Sequence, residues 1–362
     1  DEAQDLNRLQ LSLIRRWGER SRYFIVAGDD DQLLYGWCGC TTEALLDPPI
    51  PAENIIILKQ SYRVPRAVHA KATRWIKQVS RRQEKEYLPR PVDGLVEDLN
   101  SGAWKDPEAA LDIAVGLIEN GKRVMFLTAC AFQLQPLVKM LRQRGIPFHN
   151  PYRRSNGFWN PIRTGKRASS ANRLLALLVA HPEYGRDARP WTVADLVLWV
   201  DWLSAKGLVK HGAKKRLQSF NDSDQVGMQM LVDTFEQATL ESLLDRFEGS
   251  ICDLAEWWKV RLNGSVQDRA DFPVRVAQKT GAIGLLEEPR ITVGTIHSVK
   301  GGEADAVFLW PDLSAAGAKQ YRSAGTPRDS IIRQFYVGMT RARETLYICP
   351  QCGPSAEIRR IV

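Results

Sequence analysis

The sequence is most constrained by an alternation of strand and helix patterns at both ends of the chain, around a middle segment with helix patterns alone. Short apolar runs typical of buried strands occur at residues 23–27, 55–58, 124–127, 291–296, 306–310 and 345–348. Helix patterns lie between them, at residues 6–17, 107–120, 133–144 and 331–341, and another follows Pro65. This alternation predicts an α/β fold with a parallel sheet.

The middle segment differs in its pattern of apolar residues. From about residue 150 the strand-like runs stop, and helical stretches follow at residues 172–180, 192–204 and 240–262. The α/β pattern resumes near residue 289, so the middle is predicted to be a helical domain inserted into a sheet domain. The expected divisions are 1–52, 53–149, 150–288 and 289–362, with the second and fourth segments forming one domain.

The positive charge of the chain is local. The 362 residues carry a net charge of +8, which favours polyanionic partners. Residues 139–216 hold 16 Lys or Arg against 4 Asp or Glu, a net +12, so the other residues sum to −4. The insertion is therefore expected to contact nucleic acid, with a solvated basic surface or a protein-docking face as the alternatives.

Other features bear on the compartment and on the extent of the chain. Six scattered cysteines and the lack of a long apolar run predict a cytoplasmic protein with reduced thiols and no membrane association. The first residues are Asp1-Glu2-Ala3-Gln4-Asp5, with no Met, and we expect the chain to be a fragment. Cys38, Cys40, Cys349 and Cys352 could bind zinc, but the spacing of the first pair favours free thiols.

Nucleotide hydrolysis offers a set of roles against which the motifs can be compared. Phosphoryl transfer needs a phosphate cradle with a lysine, a carboxylate for Mg²⁺, a group that orients water, and an arginine that neutralises developing charge. Adjacent carboxylates such as Asp1 and Glu2 suit the second and third roles, although an isolated pair is more often a solvated surface.

Five motifs in order point to one family. They are residues 1–5 (DEAQD), 28–37 (GDDDQLLYGW), 60–63 (QSYR), 295–303 (TIHSVKGGE) and 336–342 (YVGMTRA). Together they resemble the motifs of the UvrD/Rep/PcrA-like superfamily 1 DNA helicases. The resemblance implies a RecA-like parallel-sheet motor domain, formed by residues 53–149 and 289–362, with an inserted helical domain. Residues 1–52 would then be a remnant of a first RecA-like domain.

The resemblance also implies a nucleotide site. Asp1 would hold Mg²⁺, Glu2 would polarise the attacking water, and Gln32 would sense the γ-phosphate. The side chains expected to contact ATP directly are Tyr62, which would stack on adenine, Arg63 and Arg341, which would act as arginine fingers, and Glu303, which would bind the ribose. Gly302 and Ala304 stand where the family usually has Leu and an aromatic residue.

Single-stranded and duplex DNA are the partners that the resemblance implies. Tyr35 and Trp37 would stack on bases, and Thr295 and His297 would contact the backbone phosphates. In the basic insertion, Lys214, Lys215 and Arg216 are the residues expected to contact duplex or flanking DNA through its phosphates.

A phosphate loop is not found in these 362 residues. Residues 116–122 match its first positions, but Arg123 stands where a hydroxyl should bind Mg²⁺, and the helix precedes the strand. The expected function is a fragment of an ATP-dependent helicase that moves 3′ to 5′, inactive without the missing N-terminal motor region. The alternative is a nucleic-acid-binding or regulatory remnant without ATPase activity; a helicase–nuclease fusion has little support.

Overall fold

The computed structural model describes residues 1–151 and 169–352, and the chain forms two compact units. One, the sheet unit, comprises Asp1–Leu137 and Ile291–Val362, and the other, the helical unit, comprises Val138–Arg290. Residues 152–168 of the predicted insertion and the final residues 353–362 lie outside the described residues.

The sheet unit contains two parallel sheets. The small one pairs β1 (Gln60–Pro65) with β2 (Leu88–Arg90). The five-stranded sheet is formed by β3 (Leu95–Asp98), β4 (Val124–Thr128), β5 (Ile291–Thr295), β6 (Ala304–Leu309) and β7 (Ala342–Ile348). Its order is β3-β7-β6-β4-β5, and Val124 pairs with both Ile291 and Ala306. Because β5, β6 and β7 lie more than 150 residues after β4, the two ends of the chain build one sheet, and the α/β prediction is confirmed.

Alternate side chains of the central strands fill the two faces of this sheet. On one face Phe126, Phe308 and Tyr347 stack across neighbouring strands, with ring centroids 4.8 and 4.5 Å apart. On the other face Leu127 and Val307 join a buried apolar cluster with side chains from the flanking helices. Continuous apolar runs identify these strands in the sequence because both faces are covered.

The helices of the sheet unit agree with most of the sequence patterns. Before the helical unit they are α1 (Arg8–Gly18), α2 (Glu43–Leu46), α3 (Arg66–Ile76), α4 (Glu108–Glu119) and α5 (Gln135–Gln143), and after it they are α14 (Ala315–Arg322) and α15 (Thr326–Met339). The boundary between the two units falls within α5. Helix α1 begins with a capping box in which the Asn7 side chain accepts from the Gln10 backbone N–H. Helix α3 packs on α15, where the Trp75 indole donates to the Ile332 carbonyl at 2.7 Å.

Two strand predictions were wrong. Residues 23–27 form no strand, and Ile25 is 86% exposed; residues 55–58 form none either, and Ile56 is 88% exposed. A strand needs a neighbour that accepts and donates its backbone hydrogen bonds. No strand in the described part of the chain pairs with either run, so their apolar character alone does not produce a strand.

The helical unit contains α6 (Ser170–Leu178), α7 (Val193–Val200), α8 (Ala213–Leu217), α9 (Met228–Thr234), α10 (Gln237–Glu248), α11 (Ile251–Val260), α12 (Gly264–Thr280) and α13 (Ile283–Leu286). Its core is aromatic: Trp199 stacks on Phe235 at 5.6 Å, and the Trp258 indole donates to the Trp199 carbonyl at 3.0 Å. No strand is assigned to this unit in its described residues, which agrees with the helix patterns of the sequence.

The helical stretch predicted over residues 240–262 is divided into two helices. Helix α10 ends at Glu248, with Gly249 as its C-cap, and Ser250 caps α11 by accepting from the Asp253 backbone N–H at 3.1 Å. A glycine followed by a serine with an aspartate three residues later is an end signal followed by a start signal. Among the described helices, none is long and apolar enough to cross a bilayer.

Candidate functional site

The acidic start of the chain is anchored by a lysine. The Lys300 ammonium lies 2.9 Å from Glu2 Oε2 and also contacts the Asp5 carboxylate. Its hydrogen bond to Glu2 is the main reason that the pKa of Glu2 lies below its ordinary value. Asp1 is exposed, and its Oδ1 accepts the Glu2 backbone N–H at 2.9 Å. Lys300 therefore joins the first predicted motif to the fourth.

The Asp-Asp-Asp turn is buried rather than solvated. Asp30 and Asp31 are almost fully buried, and the Lys85 ammonium lies 2.6, 2.7 and 3.1 Å from carboxylate oxygens of Asp29, Asp30 and Asp31. Arg82 forms two hydrogen bonds with Asp31, at 3.0 and 2.5 Å. Three carboxylates can share this small volume because two cations neutralise them.

Gln4 binds the backbone of this turn beside Gly28, where the turn and the acidic start come close together. The Asp29 N–H donates to Gln4 Oε1 at 3.0 Å, and Gln4 donates to Glu2 Oε2 at 2.5 Å. A Cβ on Gly28 would lie 2.5 Å from Gln4 Oε1, closer than real Cβ atoms approach. The same Cβ would lie 3.0 Å from the Ala3 backbone nitrogen, so a larger residue here would require Gln4 and the acidic start to shift.

Gln32 bridges the turn to Arg341. Its Nε2 donates to Asp29 Oδ2 at 2.7 Å, and its Oε1 accepts from the Arg341 guanidinium at 3.5 Å, a long and weak hydrogen bond. Two predicted site residues that are 309 positions apart in the sequence thus meet in the sheet unit.

Arg341 lies between α15 and β7 and is buried. Its Nε donates to the Val337 carbonyl at 2.9 Å, and one terminal nitrogen lies 3.4 Å from the Gly302 carbonyl. Burial, and then the positive charge of Arg63, lowers the pKa of Arg341 to about 10, so it stays protonated at neutral pH. Helix α15 approaches residues 296–299 closely, since a Cβ on Gly338 would lie 3.2 Å from the Ile296 side chain.

Arg63 and Tyr62 come from β1. Arg63 is half-buried, and its Nε has no hydrogen-bond partner in the described part of the chain. Tyr62 is 84% exposed, as a ring that stacks on a ligand would be. Glu303, just before β6, forms an ion pair with Arg343 at 2.5 Å, and both side chains are exposed. Glu303 would have to exchange this partner to bind a ribose.

The predicted DNA-contacting residues divide by exposure. Trp37 is 78% exposed, whereas Tyr35 is half-buried, with its ring centroid 6.3 Å from the His297 ring and 5.6 Å from the Lys300 ammonium. Burial lowers the pKa of His297. Thr295 ends β5, and its side chain accepts from the Ser298 backbone N–H, so its hydroxyl caps the turn that carries His297.

The basic run of α8 belongs to the helical unit and is described within it. Lys214 donates to the carbonyls of Asp201 and Leu203 at 2.9 and 2.8 Å. Arg216 donates to the carbonyls of His211 and Asp233 at 2.9 and 3.0 Å.

Lys215, between these two residues, is exposed. Two of the three predicted phosphate contacts therefore already use donors inside the protein, and their role in DNA binding stays a prediction.

The carboxylates differ in their fitness for a metal. Mg²⁺ takes hard oxygen ligands, and the exposed Asp1 carboxylate is such a donor. Oxygens of Asp29, Asp30 and Asp31 lie within 4.8 Å of one another, but the Lys85 ammonium contacts all three and takes the position that a metal ion would need. The role of Asp1 as a Mg²⁺ ligand stays a prediction.

Comparison with known proteins matches both ends of the sheet unit. Residues 1–48 match the UvrD/REP helicase N-terminal domain, and residues 290–349 match the UvrD-like helicase C-terminal domain. This chain carries UvrD-like helicase segments. The ATP-dependent DNA helicase PcrA of Bacillus subtilis is 33% identical over 97 residues, which is 26% of this chain and 13% of that protein.

A second relative gives the same picture. PcrA of Staphylococcus aureus is 34% identical over 87 residues, which is 24% of this chain and 12% of that protein. The matched stretches thus span about an eighth of the relatives' lengths. The UvrD-like segments contain the predicted motifs of residues 1–5, 28–37, 295–303 and 336–342, whereas the predicted motif of residues 60–63 and the helical unit lie outside the matched domains.

Three cations that contact the acidic start or the Asp-Asp-Asp turn were not predicted from the sequence. Lys300 lies within the motif of residues 295–303, but its ion pairs cannot be read from that motif. Arg82 and Lys85 lie in the charged run RRQEKE at residues 81–86, which by composition is typical of a solvated surface. A signal was present, since three consecutive aspartates in a buried turn require cations, but the sequence does not say which ones.

Proposed function

We propose that this chain supplies one side of the nucleotide site, and part of the DNA-contacting surface, of an ATP-dependent DNA helicase that moves 3′ to 5′ on single-stranded DNA. The observation that carries the proposal is a pair of arginines. Arg341 is buried and makes no ion pair in the described part of the chain, and the positive charge of the half-buried Arg63 disfavours its protonated form. Like charges that are removed from water and lack a carboxylate partner favour an anionic ligand.

The roles of the surrounding groups follow from this placement. A polyphosphate bound near Arg63 and Arg341 would receive charge-assisted hydrogen bonds from both guanidinium groups. Gln32, which contacts Arg341, would respond to the terminal phosphate, and Glu2 would activate the attacking water. Mg²⁺, when held by Asp1, would neutralise phosphate charge. Each of these roles is part of the proposal.

Single-stranded DNA would be bound by aromatic and backbone contacts. The exposed Trp37 offers a face on which a base can stack, a contact worth about 1 to 3 kcal/mol and independent of base identity. His297 lies beside Tyr35, and Lys300 links this group to Glu2. A change at Glu2 could therefore reach Tyr35 through Lys300, whose ammonium lies 2.9 Å from Glu2 Oε2 and 5.6 Å from the centroid of the Tyr35 ring.

The deciding experiment measures ATP hydrolysis and directional movement by the natural gene product that carries this sequence. We expect DNA-stimulated hydrolysis, and displacement of streptavidin from a biotin at the 5′ end of an oligonucleotide but not at the 3′ end. Displacement at the 3′ end alone would overturn the polarity. Absence of DNA-stimulated hydrolysis would overturn the helicase assignment and favour the non-catalytic alternative.

A second measurement uses the 362 residues alone. We expect them to hydrolyse no ATP above the buffer rate, because they contain no phosphate-loop lysine and that group supplies much of the phosphate binding. DNA-stimulated hydrolysis by these residues would contradict this part of the proposal without affecting the rest.

A further inference from the structure

We propose that Lys85 and Asp29 are positioning residues that fix the orientation of the Gln32 side-chain amide. The inference rests on the proposed function, because it assigns them an effect on turnover through Gln32. Its physical basis is a continuous series of contacts: Lys85 Nζ to Asp29 Oδ1 at 2.6 Å, Gln32 Nε2 to Asp29 Oδ2 at 2.7 Å, and the Arg341 guanidinium to Gln32 Oε1 at 3.5 Å.

The chemistry of the two neighbours determines which way the amide points. A carboxylate only accepts hydrogen bonds and a guanidinium only donates them. Gln32 must therefore turn its NH₂ group to Asp29 and its carbonyl oxygen to Arg341. Rotation of the amide by 180° would lose the hydrogen bond to Asp29 and place the NH₂ group against a cation.

Lys85 is the group that keeps Asp29 in position. Burial alone would raise the pKa of Asp29, but the charge and hydrogen bond of Lys85, with the Gln32 amide, hold it below the ordinary value. Arg82 bonds Asp31, so without Lys85 the three carboxylates would keep one ion-paired cation in the described part of the chain. Asp29 is the most exposed of the three, and repulsion would turn its side chain towards solvent and away from Gln32.

The backbone of the turn does not depend on Lys85. Gln4 binds the Asp29 N–H at 3.0 Å, Asp30 Oδ2 accepts the Gln83 N–H at 2.7 Å, and Arg82 holds Asp31. Loss of the lysine is therefore expected to free a side chain rather than unfold the turn. This separates a positioning role from a general contribution to stability.

The first test uses the natural gene product, with DNA-stimulated ATP hydrolysis as the readout. Lys85→Met should lower kcat roughly 10- to 100-fold, with little change in the KM for ATP, because a misplaced group costs turnover more than binding. Lys85→Arg should restore most of the activity. Lys59→Met is the matched control, since Lys59 forms an exposed ion pair with Glu86 at 2.8 Å in the same region.

Non-additivity shows whether Lys85 acts through Gln32. Lys85→Met should have no further effect on kcat in a Gln32→Ala background, because the group that it positions is already absent. An equal additional loss in that background would overturn the proposal, as would an unchanged kcat in the single variant.

The second test uses the 362-residue chain and needs no catalysis, so it stays decisive if the helicase assignment fails. Gln side-chain amides labelled with ¹⁵N are assigned through the signal lost in Gln32→Ala. We expect the Gln32 signal to move towards the position of a solvent-exposed amide in Lys85→Met, and in Asp29→Asn if Lys85→Met does not fold. An unchanged signal would overturn the positioning role.

Discussion

Arg341 in the sheet unit and Lys214 in the helical unit are both basic side chains that the sequence assigns to polyanionic ligands, and their surroundings differ. Arg341 is buried, and the positive charge of Arg63 helps to lower its pKa. One of its hydrogen bonds goes to Gln32. Lys214 donates to two carbonyls of its own unit, just beyond α7. Both residues donate to backbone carbonyls of their own unit, so what distinguishes Arg341 is its burial beside a second positive charge.

The comparison is tested most strongly by Arg341→Gln in the natural gene product. Removal of the guanidinium should lower turnover roughly 10³-fold, because an arginine finger stabilises charge that develops in the transition state. DNA affinity should stay within a factor of two of the unmodified protein in a fluorescence anisotropy titration. Arg16→Gln, which removes an exposed arginine paired with Glu19, is the control and should change neither quantity. Parallel loss of turnover and DNA binding would indicate a structural role.

Lys214→Ala tests the other side of the comparison. The substitution leaves the carbonyls of Asp201 and Leu203 without their donor, and we expect the free energy of unfolding to fall by about 1 to 3 kcal/mol. Urea denaturation followed by tryptophan fluorescence measures this loss, since the aromatic core of the helical unit reports its unfolding. Lys215→Ala should change the same free energy by less than about 0.5 kcal/mol. Equal losses in the two variants would remove the distinction.

The sequence predicts an element correctly where local pattern and tertiary burial agree. Strand β4 is buried throughout, between β5 and β6, and its first four residues are apolar. Helix α4 ends at Glu119, and its C-cap Asn120 is followed by Gly121 with a φ of +78°, as the glycine signal predicts. The runs at 23–27 and 55–58 have the same apolar character but no pairing partner, and nothing in their own residues shows this difference.

The candidate site was predictable only in part, for a similar reason. Residues within motifs, such as Gln32 and Arg341, can be found because their type and order carry the signal. Lys85 lies in a run of mixed charges whose exposure cannot be read from composition. Only the fold shows that this run meets three buried carboxylates.

A third prediction compares a histidine in each unit. Burial lowers the pKa of His297, so the folded protein disfavours its protonation, while the unfolded chain takes up a proton near pH 6.5. The stability that this difference contributes is present above the unfolded pKa and is lost as the pH falls below it. The free energy of unfolding, measured by urea denaturation, should differ less between pH 7.5 and pH 5.5 in His297→Gln than in the unmodified chain. His211→Gln, at an exposed site in the helical unit, should leave the difference unchanged.

The smallest expected effect separates two of the three basic residues of α8, Lys214 and Lys215. Lys215 is exposed, so Lys215→Ala should lower the slope of log affinity against log salt for duplex DNA by about one. Lys214→Ala should leave that slope unchanged, because its ammonium already binds two carbonyls. Fluorescence anisotropy with the 362-residue chain at several salt concentrations measures both slopes. Equal changes would mean that Lys214 leaves its carbonyls when DNA binds, whereas no change in either would remove this run from the DNA-contacting surface.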